Sequence, residues 1–286
     1  MKLTDFTALG RTPIDPSYPT NLAIATLALG VTTIGVILSL LTGAALLESV
    51  LSGIGAGLVP FLTWALGREL DPDHDLSAFV GAGLALAALF LLDDPSLLMV
   101  LWLLLLLRTV NRTVGLPLKP LDSLAVFGLG AWLTWQGYWL AGLATGAALL
   151  LDGLLSPPFR AHLLLSGLAF AATAVLSIFR WNPATVSSLA TPVVLSSMAV
   201  AALFLVVIAT SRQVHAVGDA TGKALNPRRV QAAQVLALVT ALGYALWGGS
   251  SGILLLLPLW AAIAGVALYR LAILLLPRRR SSQSGG

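Results

Sequence analysis

Asp71, Asp73 and Asp75 recur at every second position around Pro72, inside the stretch Gly67-Arg68-Glu69-Leu70-Asp71-Pro72-Asp73-His74-Asp75. An extended backbone turns alternate side chains to the same side. Three carboxylates placed so would offer the oxygen ligands that Mg²⁺ or Ca²⁺ takes. Further along, Arg108, Asn111 and Arg112 stand at i, i+3 and i+4 and share one face of a helix, and Lys119 and Asp122 follow. Guanidinium groups grip phosphate through paired hydrogen bonds, and a neighbouring divalent cation neutralises charge on the same group. The pattern therefore predicts a metal site at Asp71, Asp73 and Asp75, with Mg²⁺ as cofactor. It predicts phosphate binding by Arg68, Arg108, Asn111, Arg112 and Lys119.

A plainer account competes with that one. The acids precede an apolar run and the arginines close another, which are the helix ends the macrodipole favours for each sign, by about 0.3–1 kcal/mol. Such residues need no ligand to be where they are.

Other candidates carry less. His74, His162 and His215 match no metal-ligand spacing and read as loop residues of the same polar zone. Ser187, Ser188, Ser196 and Ser197 fall in or near one apolar run with no histidine expected at their depth, so a serine–histidine nucleophile is unsupported. Gly218 to Lys223 is one residue short of a phosphate loop, lacks Ser or Thr after the lysine and follows no strand. Arg228 and Arg229 come directly after Asn226-Pro227, a cap and first helical position. Cations there oppose the helix dipole, and membrane topology or anionic headgroups are expected to offset the cost. The chain has no cysteine, which removes disulfides and thiolate metal sites.

The elements that must hold these residues follow from composition. Apolar residues make up 58% of the 286 and charged residues 10%, against about a quarter charged in soluble domains. Lipid has to cover such a surface. Apolar runs of roughly 20 residues cross about 30 Å of hydrocarbon, and polar breaks divide this chain into about ten of them. Asp93-Asp94-Pro95 splits 77–107 into a hairpin, Trp135 to Tyr138 splits 121–155, and Gly248 to Gly252 reads as the turn before the last span. Pro60, Pro192 and Pro258 are expected to break or kink their helices. The segments ending at Asp93 and at Asp152 share an Ala-Gly-Leu-Ala opening, a match that Ala/Leu/Gly-rich helices make by chance. Gly53, Gly55, Gly57, Gly142 and Gly146 are expected to let helices approach closely.

With ten spans, every Lys and Arg except Arg180 falls on one side, as the positive-inside rule requires. The expectation is an all-α polytopic transmembrane bundle, both termini cytoplasmic, in the plasma (inner) membrane. Residues 1–20 form a cytoplasmic tail, 21–276 the helical domain, and 277–286 a basic flexible tail. No basic stripe interleaved with aromatics suggests nucleic acid, and membrane lipid is the expected partner. The leading functional expectation is a cytoplasm-facing polar site that binds or processes a phosphorylated lipid. The alternatives are a transporter of a small neutral or amphipathic metabolite and a membrane assembly subunit.

Overall fold

The computed structural model of the chain describes residues 7–9, 18–89, 95–180 and 192–275. Among these residues there are ten helices and no strand: α1 Pro19–Leu41, α2 Leu46–Leu70, α3 Asp75–Leu89, α4 Leu97–Asn111, α5 Pro120–Trp135, α6 Trp139–Leu154, α7 Ala161–Arg180, α8 Pro192–Thr210, α9 Pro227–Leu255 and α10 Leu257–Leu275. Six of them (α1, α2, α7, α8, α9 and α10) are long and apolar enough to cross a membrane. α3, α4 and α6 are shorter apolar helices, and a 15-residue helix such as α4 spans only about 22 Å at 1.5 Å per residue.

Length and position go together. The Leu97–Leu107 part of α4 is apolar on every side, the pattern of a helix with protein all around it. Met99, Val100, Trp102, Leu103, Leu106 and Leu107 are fully buried, against α2, α5, α6 and α9. α1 lies at the other extreme: in its apolar window only 6% of residues are buried, and it packs chiefly on α2. That contact depends on glycine. A Cβ on Gly57 would sit 2.6 Å from the carbonyl oxygen of Ala28, too close for any side chain. At Gly67 the same construction meets the Ala78 Cα at 2.8 Å, so α3 folds back on α2 with backbones nearly touching.

The ends of the helices sort into two sets. Hydrogen bonds and ion pairs link the C-terminal ends of α2, α4, α6 and α10 with the N-terminal ends of α5, α7 and α9 and with the loop after α8. Thr7, Ala8 and Leu9 join the same end. The Asp122 carboxylate accepts from the Thr7 hydroxyl and the Ala8 N–H, and the Leu9 carbonyl accepts from Arg108. This part of the chain is packed into the bundle, with Ala8 and Leu9 buried.

The Gly248 to Gly252 run does break the helix, as expected: α9 is two helical segments meeting at a kink at Gly249 (φ 56°, ψ −132°), and the backbone folds back so closely that a Cβ on Gly252 would collide with the Tyr244 carbonyl. Other local expectations are corrected. α2 runs unbroken through Pro60. Pro192 and Pro258 lie in the first turn of α8 and α10, where a missing N–H costs nothing. The Asp93-Asp94 break, the Asn182-Pro183 start, Ser187, Ser188 and the basic C-terminal tail lie outside the described residues.

Candidate functional site

The polar end is built on buried carboxylates, and the densest cluster surrounds Asp152. This residue ends an apolar run in the last turn of α6 and is fully buried. Arg112 donates to it twice, from Nε to Oδ1 at 2.7 Å and from Nη2 to Oδ2 at 2.9 Å. Arg229 Nη1 donates to the same Oδ1 at 2.7 Å, and His162 Nδ1 lies 2.8 Å from Oδ2. Four helices, α4, α6, α7 and α9, thus meet on one carboxylate.

Each basic residue is held there by its local structure. Arg112 is the C-cap of α4 in the left-handed conformation (φ 53°, ψ 48°). That backbone costs a non-glycine residue about 1–2 kcal/mol, and the bidentate pair with Asp152 offsets it. Arg229 lies in the first turn of α9. Its other donors reach the carbonyls of Leu155 at 2.6 Å, Pro157 at 2.9 Å, Ser156 at 3.1 Å and Val110 at 2.9 Å. The last carbonyls of a helix have no partner within it, and here a guanidinium from another helix caps those of α6 and α4. The cation that opposes the dipole of its own helix therefore serves the C-terminal ends of two others. Direct contact with Asp152 and these carbonyls offsets the dipole cost of Arg229 within the protein.

The chain continues from His162 Nε2 to the Ser123 hydroxyl, 2.7 Å away. Serine, histidine and carboxylate in this order match an activated nucleophile. The serine that meets a histidine is Ser123, outside the Ser187 to Ser197 group singled out in the sequence. Two features speak against catalysis. A catalytic carboxylate stabilises the imidazolium, yet the single charge of Asp152 is already shared by two guanidiniums. Ser123 is also only 4% exposed. The row acts as a clamp between α5, α6 and α7.

A second carboxylate, Glu69, is fully buried in the last turn of α2. Its Oε1 accepts from Arg108 Nε at 3.2 Å and from the Thr113 hydroxyl at 3.1 Å. The Asn111 side chain donates to its Oε2 at 3.2 Å and to its backbone carbonyl at 2.7 Å.

The sequence-predicted metal ligands do not converge. Asp71 faces His74, with Nδ1 and Oδ1 3.0 Å apart, and Arg270 at 3.9 Å. Asp73 accepts from the backbone N–H groups of His215 at 2.9 Å and Ala216 at 2.7 Å. Asp75 pairs with Arg68. Among the described residues no group of three or more His, Asp or Glu side chains is placed to hold a metal. The loop is a turn rather than the extended segment that alternation assumes: His74 N–H bonds back to the Asp71 carbonyl and Ser77 N–H to that of His74. Burial pushes the Asp71 carboxyl above the usual carboxylate range, against the pull of His74 and Arg270.

The predicted phosphate ligands also have protein partners. Arg68, Arg108 and Arg112 each hold a carboxylate, and Asn111 holds Glu69. Lys119 caps α5, its N–H donating to Asp122 at 3.1 Å. Sequence reasoning passed over Asp152, Ser123 and His162 as sites and set Arg229 apart only as a misfit. A groove of about 510 Å³ lies beside this cluster, lined by Leu154, Leu155, Ser156, Arg212, Asn226, Pro227 and Arg228.

Comparison with protein-family models, curated proteins and solved structures finds no match. The described residues are all-helical with six helices long and apolar enough to cross a membrane, the features of a multi-pass α-helical membrane protein.

Proposed function

We propose that this chain crosses the plasma (inner) membrane ten times with both termini in the cytoplasm, and that its polar end binds a phosphorylated lipid. The gathering of alternate helix ends, joined by Thr7 to Leu9, supports the crossing number. The one-sided distribution of Lys and Arg supports the orientation.

The observation that carries lipid binding is the sharing of Asp152. One carboxylate answers two guanidiniums, Arg112 and Arg229, so the directly bonded cluster keeps a positive charge. That charge lies in low dielectric, where its field reaches further than in water. Beside it stand Arg212 and Arg228, both exposed. An anionic headgroup at the level of the helix ends is the partner such a field selects.

The test uses the purified full chain in neutral detergent, titrated with phosphatidylglycerol and with diacylglycerol of the same acyl chains, at low and high salt. Binding of the phospholipid, weakened by salt, with none of the diacylglycerol, is expected. Equal binding of both lipids ends the proposal.

A further inference from the structure

The geometry points to the groove at Arg212 and Arg228 as a site for the headgroup of a phosphomonoester lipid, an inference that rests on the preceding reading and names its ligand class. Arg212 lies just after the end of α8 and Arg228 in the first turn of α9, and both line the groove. Arg68, Arg108, Arg112, Arg229 and Arg270 each have a carboxylate within 4.0 Å. Neither Arg212 nor Arg228 has an ion pair or side-chain hydrogen bond among the described residues.

The polar atoms of the lining are sorted by kind. The Ser156 carbonyl already accepts from Asn226 Nδ2 at 2.9 Å and from Arg229 Nε at 3.1 Å. The Leu155 carbonyl accepts from Arg229 Nη2. Asn226 Oδ1 accepts from the Arg228 N–H at 3.0 Å. Each of these acceptors already holds at least one donor, while the two guanidiniums keep theirs. A groove with used acceptors and available donors suits an anion and not a cation or a neutral amide. Arg229, buried behind it, adds to the same field.

Charge chooses the class of anion. A phosphomonoester carries about −1.5 to −2 at pH 7, which two guanidinium forks match. A phosphodiester has one charge and leaves one fork unanswered. The wall chooses lipid over a soluble phosphate: Leu154 is 62% exposed beside the arginines, an apolar flank for the start of an acyl chain.

The experiment measures binding of phosphatidate, phosphatidylglycerol and glycerol 3-phosphate to the full chain in neutral detergent, for wild type, Arg212→Gln, Arg228→Gln and Lys223→Gln. Lys223 is exposed and outside the groove, so its variant controls for net charge. Phosphatidate is expected to bind wild type more tightly than phosphatidylglycerol, and glycerol 3-phosphate at least tenfold more weakly. Each arginine variant is expected to lose about tenfold for phosphatidate, and Lys223→Gln less than twofold. Equal affinity for the two lipids overturns the monoester class. Glycerol 3-phosphate binding as tightly as phosphatidate overturns the lipid source. Arginine variants that bind like wild type overturn the site while leaving the broader lipid reading standing. No binding of either phospholipid by wild type removes both. Melting temperatures within the range of the Lys223→Gln variant confirm that the arginine variants are folded.

Discussion

Asp152 and Glu69 are both buried carboxylates in the last turn of a helix, and they are neutralised differently. Glu69 meets one guanidinium, one amide and one hydroxyl, so its charges cancel. Asp152 meets two guanidiniums and an imidazole, so they do not. The first is a balanced staple between α2 and α4. The second fastens four helices and leaves a positive surplus beside a groove. Equal burial can thus serve different ends, and the count of charges tells the two apart.

Replacing Asp152 by alanine gives the largest expected effect. Two buried guanidiniums would lose their counterion, and breaking such a pair costs about 3–5 kcal/mol. A loss of that size in reversible unfolding from mixed micelles is the expected readout. A loss under about 1 kcal/mol would mean that the cluster is solvated. Glu69→Gln sharpens the contrast. The amide keeps the shape, and Arg108, with a side chain 15% exposed, can turn toward water, so a loss of about 1–2 kcal/mol is expected. Were the two variants equally damaging, the charge-count distinction between the clusters would fail.

The smallest effect concerns the acidic loop. The raised Asp71 carboxyl binds its proton more tightly folded than unfolded. Its contribution to stability is therefore full below the ordinary carboxyl value of 3.8 and is lost as pH rises through the raised value. Asp71→Asn removes that loss. The variant's melting temperature relative to wild type should rise by a few degrees between pH 4 and pH 7. A difference that stays constant or falls across this window contradicts the assignment.

The helices were legible because the signals that make them are local. Apolar runs with prolines and acids at their ends place α3 and α4, or α5 and α6, as separate short helices, and the structure agrees to within a few residues. The Gly248 to Gly252 run was legible for the same reason, and the kink falls at Gly249 within it. The site was less legible. Arg68, Arg108, Asn111 and Arg112 stood out as polar, yet polarity says nothing about which carboxylate each will meet. Arg229 stood out as a cation in the wrong turn, a signal that could have prompted a search for a buried acid.

The sequence alone determined that the chain forms long apolar helices of membrane-spanning length, and roughly where each helix starts and stops. These are one-dimensional properties, set by solvation and backbone pairing over a few turns. Only the tertiary structure decided which charges pair. Asp152 finds Arg112 across 40 residues and Arg229 across 77, and Ser123 finds His162 across 39. Pairing energies fall off within a few ångströms and ignore separation along the chain, so they are settled by how the helices pack.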